Sequence, residues 1–338
     1  MIVPPMSSRP CSTLADRFLS LGVPIFMVHR IEPSGYSSTT TSPDHLRRCL
    51  SYLHKRKYNV LSLEDLLHRI TQQIRLPEKA VVFTMDDGYT DQAKIAAPIF
   101  LEYGYPITFF LITEMVDQQL WAWDAKVSWV IYQSKKNSIT LELEDEIINF
   151  DITDTHKRTK ARQEIRDVIK EIDAEEIPDI LNQLAISAEV SWPEQIPKEF
   201  QPLDWDTARE LEAKGVCFAP HSKTHRILSK IDKASAEDEI IGSWLTLKRE
   251  LRHPLKVFCY PTGRILDFGP RETDLLQREN FLGAVSTFPG FVQTTPNNNP
   301  RAIYQLPRLE LPDNMIDFIQ YCSWIEQTKH RLRWKSFT

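Results

Sequence analysis

Apolar runs that stop abruptly at polar groups recur along this chain and organise the rest of it. Residues 23–28 (V-P-I-F-M-V) end at His29-Arg30, residues 80–85 (A-V-V-F-T-M) at Asp86-Asp87-Gly88, and residues 216–220 at H-S-K-T-H, which contains His221 and His225. Residues 255–260 (L-K-V-F-C-Y) run into P-T-G-R, and residues 303–309 (I-Y-Q-L-P-R-L) carry Arg308 beside their end. Short runs rich in β-branched and aromatic residues, bounded by turn signals, predict buried strands. Residues 58–61, 106–112 and 284–287 are of the same kind. Between them apolar residues recur at helical spacing, as Leu46, Leu50 and Leu53 do, and predict helices over 43–56, 63–73, 91–103, 205–214, 232–251, 271–280 and 315–329. Ser42, Ser62 and Asp204 are candidate N-caps, and Gly104 and Gly215 candidate stops. Such strand–helix alternation predicts a parallel sheet or barrel whose strands all end on one rim.

The alternation breaks between residues 113 and 202. Trp121, Trp123 and Trp129 fall close together, an acidic stretch L-E-L-E-D-E-I-I-N-F-D follows, and helical patterns cover 156–173 and 174–188. We read residues 113–202 as a mainly helical insertion that caps the mouth of a barrel spanning 14–330. Aromatic rings at such a mouth can stack on sugar, which makes Trp121 and Trp123 candidates for substrate contact. A satellite core beneath the insert is the other use for such residues.

With 42% hydrophobic and 26% charged residues the composition is that of a soluble globular protein. A net charge of -5 leaves no basic footprint for nucleic acid, so a neutral or polar substrate is expected. Five cysteines (Cys11, Cys49, Cys217, Cys259, Cys322) lack C-x-x-C spacing and read as free, mostly buried thiols. No stretch approaches about 18 apolar residues, and the N-terminus has no basic region leading into a long apolar one. The expectation is no transmembrane segment and a cytoplasmic location; nothing in the pattern bears on oligomeric state.

Two adjacent carboxylates repel one another, so a strand end that keeps both Asp86 and Asp87 asks for a cation, an arginine or a shared proton. Asp-Asp-Gly is also an ordinary exit from a strand. His221 and His225 can meet on a helical turn or in a strand-end loop, and two histidines with one carboxylate are a recurring catalytic metal set. On one barrel rim these groups converge. One aspartate would then hold the metal while the other takes a proton from the attacking water. His29 is the candidate, by position, to protonate a leaving amine, and Arg308 to hydrogen-bond the base carboxylate and keep it ionised.

These motifs resemble those of the polysaccharide deacetylase superfamily, carbohydrate esterase family four, with its chitooligosaccharide-deacetylase homology domain. F-T-M-D-D-G is similar to the family's T-F-D-D-G motif, and H-S-K-T-H to its H-[ST]-x-x-H motif. W-D-T-A-R-E-L-E-A-K-G, H-R-I-L-S, Y-P-T-G-R and L-P-R-L fall in the family's order, so the resemblance covers residues 23–312 apart from the insert. It implies an α/β fold, a distorted (β/α)7-type barrel. It also implies Asp86 as general base, Asp87, His221 and His225 as ligands of a divalent metal, usually zinc, and Tyr260 lining the substrate groove or helping form the oxyanion site. Met85 stands where the family usually has Phe. Many members carry the acid histidine on the final strand, whereas no histidine follows Leu309 here before His330. The segment M-V-H-R resembles circularly permuted members, with His29 as the acid; first and last strands are neighbours in a closed barrel, so such a move preserves the site.

The expectation is therefore a metal-dependent hydrolase that removes the acetyl group from an N-acetylated amino sugar in a polysaccharide or glycan precursor. The alternatives are an allantoinase-like hydrolase of a small cyclic amide or ureide, and a glycan-binding module without turnover.

Overall fold

The computed structural model describes residues 22–31, 40–117, 120–143, 146–293 and 300–323. Cys11, His330, the expected barrel limits at 14 and 330, and residues 324–329 of the expected last helix lie outside the described residues. Twelve strands are described: β1 (Ile25–Val28), β2 (Arg30–Ile31), β3 (Thr40–Thr41), β4 (Asn59–Leu61), β5 (Ala80–Asp87), β6 (Thr108–Leu111), β7 (Ser138–Leu143), β8 (Glu146–Asp151), β9 (Cys217–Pro220), β10 (Val257–Cys259), β11 (Gly283–Pro289) and β12 (Leu306–Glu310). The apolar runs of the sequence thus form the strands of one sheet, in the order β10-β11-β12-β1-β5-β6-β9, with β4 paired to the first half of β5. All of these pairs are parallel. The Leu255 amide donates to the Phe218 carbonyl at 2.7 Å, which draws the two outer strands together into a nearly closed barrel of seven parallel strands.

Alternation along the strands decides what faces where, because successive side chains leave a strand on opposite sides. Ile25, Val82, Phe110, Ala219, Val257, Cys259, Val285 and Leu306 pack together inside the barrel. Phe26, Val28, Phe83, Met85, Phe109, Leu111, Phe218 and Leu309 face outward, against the helices Pro43–Lys55 and Ala97–Glu102 and the last helix Met315–Tyr321. Continuing the inward series to the carboxyl ends gives His29, Asp86, His221, Arg308 and Glu310.

The capping signals act as read: Ser42 accepts from His45 N, Ser62 from Asp65 N and Asp204 from Thr207 N. Residues 91–103 differ from the single helix expected. A π-helical turn, Gln92–Ala96, precedes the α-helix Ala97–Glu102, and Pro98, which has no amide to donate back into the preceding turn, marks the change of register.

The acidic stretch after residue 137, to which the sequence assigned no element, is an antiparallel hairpin of β7 and β8. Its Ile139, Leu141 and Phe150 share a separate core with the helices Trp123–Gln133, Thr155–Ile169 and Ile177–Ser187. Among the described residues no helix is long and apolar enough to cross a membrane, and Cys49, Cys217, Cys259 and Cys322 are free thiols.

Candidate active site

Strict alternation would send Asp87 outward with Met85. Instead β5 ends there, with φ of 83° at Asp87 and 93° at Gly88, and the carboxylate lies beside the two histidines of H-S-K-T-H. A side chain on Gly88 would meet Leu111 at 2.6 Å, so this turn requires glycine. The histidine segment leaves β9 as a loop rather than a helical turn, and Ser222 and His225 both adopt positive φ, near 64° and 63°. Sparsely populated backbone of this kind concentrates at functional sites.

Asp87 Oδ1 lies 3.6 Å from His221 Nε2 and 3.9 Å from His225 Nε2. These separations are too long for hydrogen bonds. They suit three ligands of one ion, since bonds of about 2.1 Å in tetrahedral array put ligand atoms about 3.4 Å apart. His221 Nδ1 is 2.9 Å from the Cys259 carbonyl, so it carries the proton and leaves Nε2 as a free lone pair aimed at Asp87. Burial, with the neighbouring charge of His225, pushes His221 down to about 3 and keeps it neutral. Burial also pushes the Asp87 carboxyl up, and Asp124 and Asp86 add to this. A buried carboxylate facing two imidazoles is a donor set that fits a divalent cation. Asp86, His221 and Cys259 also lie close enough to share an ion. There the cation's place is taken, because Arg308 is paired with Asp86 and its Nη2 lies 3.2 Å from Cys259 Sγ.

Arg308 is fully buried and forks onto Asp86, with Nη1 2.7 Å from Oδ1 and Nη2 2.6 Å from Oδ2. Its remaining donors reach Ser286 O and Thr84 Oγ1, so every hydrogen bond fixes its plane. Burial works to neutralise Asp86, but the charge and paired hydrogen bonds of Arg308 outweigh it and hold the carboxyl well below the usual carboxylate range. Asp86 is therefore an ionised acceptor at any ordinary pH.

At the end of β1, next to β5, stands His29, with Nε2 3.9 Å from Asp86 Oδ2 and Nδ1 3.4 Å from Glu310 Oε1. Burial works against the imidazolium, yet Glu310 and, more weakly, Asp86 and Asp87 outweigh it and push His29 up to about 9. At this rim β1 thus brings a protonated imidazole, and β9 with the loop after it two more imidazoles.

Two expectations need correction. Tyr260 lies outside the barrel, because Cys259 takes the inward position and sends its neighbour outward with Phe258. Its ring stacks on Phe268, its hydroxyl donates to the Tyr304 carbonyl at 3.0 Å and its amide to Val285 O, which removes it from both the groove and the oxyanion site. Trp123 is buried in the core of residues 123–188 and offers no face to a substrate. Trp121 is partly exposed; it meets Trp129, Trp192 and Phe200 and packs on the cluster that includes Tyr89, the residue after Gly88.

Three contributors escaped the sequence reading. Glu310 was within reach, since it shares the inward face of β12 with Arg308 two residues before it. Asp124 is the second: its carboxylate sits 3.7 Å from Arg166 and acts electrostatically on His225, Asp87 and Tyr89. Gln92 is the third: its side-chain amide donates to the carbonyls of both His29 and Asp86.

The family model for polysaccharide deacetylases matches residues 73–269, from ahead of β5 to beyond β10. The chain belongs to the polysaccharide deacetylase family. It joins a family of hydrolases that act on non-peptide carbon–nitrogen bonds. This deacetylase-family chain is 32% identical over 94 residues to YxkH of Bacillus subtilis (strain 168), itself named for polysaccharide deacetylation; the match takes in 28% of this chain and 33% of that relative. Among solved structures, the deacetylase PplD of Streptococcus pyogenes, in complex with acetate, superposes with a TM-score of 0.59 at 18% identity, covering 89% of this chain and 98% of that one. IcaB from Ammonifex degensii gives 0.57 at 16% identity, covering 90% and 97%. At such identities the likeness is one of fold, the distorted (β/α)7-type barrel.

Proposed function

We propose that this polysaccharide deacetylase is a metal-dependent de-N-acetylase that hydrolyses the acetamide of an N-acetylated amino sugar in a glycan or glycan precursor, releasing acetate. The observation that carries the reading is the convergence of His29 beside Asp86 and of the Asp87/His221/His225 group at the carboxyl ends of the barrel strands. Asp87, His221 and His225 would hold the ion, with zinc the metal that two imidazoles and a carboxylate suit best. Bound there, a divalent ion supplies Lewis acidity toward the acyl oxygen and makes an adjacent water easier to deprotonate.

Asp86 orients the attacking water with the lone pairs that Arg308 leaves free, and accepts its proton as the oxygen adds to the acyl carbon. A carboxylate held this firmly ionised is a weak base, which is why its partner water must be acidified. As the carbon–nitrogen bond breaks, His29 donates its proton to the nitrogen, and the sugar leaves as a free amine. Glu310 keeps His29 in the protonated form that this step needs. The acetate named with the streptococcal structure is the product this reaction would release.

We further propose that residues 113–202 cap the mouth, with Trp121 contributing an aromatic face to a sugar ring and Asp124 a second carboxylate near His225. The test is acetate release from N-acetylglucosamine oligomers, a lipid-linked N-acetyl sugar and allantoin, with zinc-loaded protein beside chelated protein. Metal-dependent acetate from a sugar supports the reading. Turnover of allantoin alone moves the chain to the small-amide alternative, and zinc-free purification with no turnover to the binding module.

A further inference from the structure

The acid and the base sit at the ends of two paired strands, and the pairing stops just short of both. β1 and β5 run in register from Ile25↔Val82 to Val28↔Met85. One residue further on the ladder to β1 is over, while on its other edge β5 stays paired to β6 from Thr84 through Asp87. His29 and Asp86 therefore lie just past the last paired residues, Val28 and Met85. Their carbonyls are both acceptors, so they cannot bond to one another.

Gln92 fills that gap. It is fully buried at the start of the π-helical turn, and its Nε2 donates to the carbonyls of His29 and of Asp86, each at 2.5 Å. Its Oε1 accepts from the Gly88 amide at 3.2 Å. A primary amide has two N–H donors and an acceptor, and here all are used, two across the strand gap and one to fix the turn that carries Asp87 and Gly88. The neighbouring Asp91 completes the grip: its Oδ2 accepts from the Ile31 amide and from Arg30 Nε, each at 2.9 Å. Residues 29, 30 and 31 are thus all tied to the turn that follows Asp86-Asp87-Gly88. A π-turn adds a residue to the helical ladder, which is a means of aiming one side chain back at such a site.

We propose that Gln92 is a positioning residue for the deacetylation step, setting the separation between the acid His29 and the base Asp86. The inference rests on the acid role proposed for His29. Removing the amide donors takes away the group that bridges the two carbonyls, one of them buried, and loosens β1 from β5 at their ends. The spacing of acid and base is then lost, while His221 and His225 on the β9 side of the barrel are untouched, and zinc content reports whether Asp87, in the turn that Gln92 also holds, keeps its place. Gln92 reaches only backbone atoms of His29, Asp86 and Gly88, so its loss acts through the residues it holds.

The experiment is a double-mutant cycle on the full, zinc-loaded chain with Gln92→Met, His29→Ala and both together. It measures acetate release from tetra-N-acetylchitotetraose, hydrolysis of 4-nitrophenyl acetate and zinc content. Gln92→Met is expected to lower kcat for the amide tenfold or more with KM within about twofold, to leave zinc bound, and to spare the ester, whose leaving group needs no proton. In the His29→Ala background the same substitution should add little, because the group it positions is gone. Gln92→Asn, which keeps the amide on a shorter stem, serves where the methionine variant does not fold, and should show the same pattern. Equal loss on amide and ester, or a double mutant as impaired as the product of the two singles, overturns the inference and leaves Gln92 a general stabiliser. If His29→Ala itself leaves the amide-to-ester ratio unmoved, the acid reading fails and takes this inference with it; if that ratio moves with His29→Ala and not with Gln92→Met, the inference about Gln92 fails alone.

Discussion

Replacing Glu310 by glutamine removes the largest charge that favours the imidazolium of His29 and leaves the shape of the site intact. The two groups are 3.4 Å apart, with the glutamate side chain 45% exposed. Charges at this distance interact by about 1 kcal/mol in bulk water and about 4 kcal/mol at an effective dielectric of 20; the exposed glutamate places the pair toward the lower end, about 1–2 kcal/mol. One pKa unit is about 1.4 kcal/mol, so His29 should fall by about one unit from its value near 9. The sign follows from the acid role. Turnover of the amide needs His29 protonated, so activity declines as pH rises through its pKa, and Glu310→Gln should move that alkaline limb to lower pH by about one unit. A cation at Asp87 lowers His29 in wild type and variant alike, so the displacement between the two profiles is the quantity to measure. The assay is kcat for acetate release against pH on an N-acetylated sugar, with 4-nitrophenyl acetate beside it, whose limb should stay in place. An amide limb that does not move, or that moves equally for the ester, would refute the assignment of His29 as the acid held charged by Glu310.

Arg308→Met leaves Asp86 buried with no compensating charge, a change that typically costs about 3–5 kcal/mol; the denaturant midpoint should fall accordingly, and turnover with it as the base is pushed toward its neutral form. Because Asp86 is held below its ordinary pKa, the stability it contributes in the wild type is present above about pH 4 and should be lost as pH falls further, a loss that Asp86→Asn should abolish in thermal melts. The raised pKa of His29 acts in the opposite sense: its contribution is complete below about pH 6.5 and disappears as pH rises through about 9, so the stability difference between wild type and His29→Ala should shrink over that window. Tyr260→Phe removes one hydrogen bond, to Tyr304 O, and should cost about 1 kcal/mol of stability with kcat unchanged; a loss of catalysis without a loss of stability would return the residue to the groove.

Most of the barrel was legible in the sequence because a strand buried on both sides has to be apolar throughout, and runs such as A-V-V-F-T-M admit little else. The meeting of Asp87, His221 and His225 was legible for a related reason: in a parallel barrel a polar residue closing an apolar run lands on the rim whatever lies between, so the three could be placed together across more than a hundred residues. Tyr260 shows where the same logic needs one more step. The run L-K-V-F-C-Y ends in a conspicuous tyrosine, but the period of two gives the inward position to Cys259, and counting back from the end would have shown it. The hairpin of β7 and β8 went unassigned because its charged outer positions masked a short alternation, with Ile139 and Leu141 buried and Glu142 exposed. Gln92 could not be read at all. Its role depends on the β1–β5 ladder ending at Val28 and Met85, a property of the closed sheet and not of any local pattern.

The most direct measurement is zinc content and acetate release on the same preparations of wild type, Asp86→Asn and His225→Ala, before and after chelation. Wild type should carry about one zinc per chain and lose acetate release on chelation, recovering it when zinc is restored; Asp86→Asn should keep the metal and release no acetate, and His225→Ala should lose both. Acetate release that survives chelation, or that persists at the wild-type rate in Asp86→Asn, would contradict a metal held by Asp87, His221 and His225 acting beside Asp86 as base.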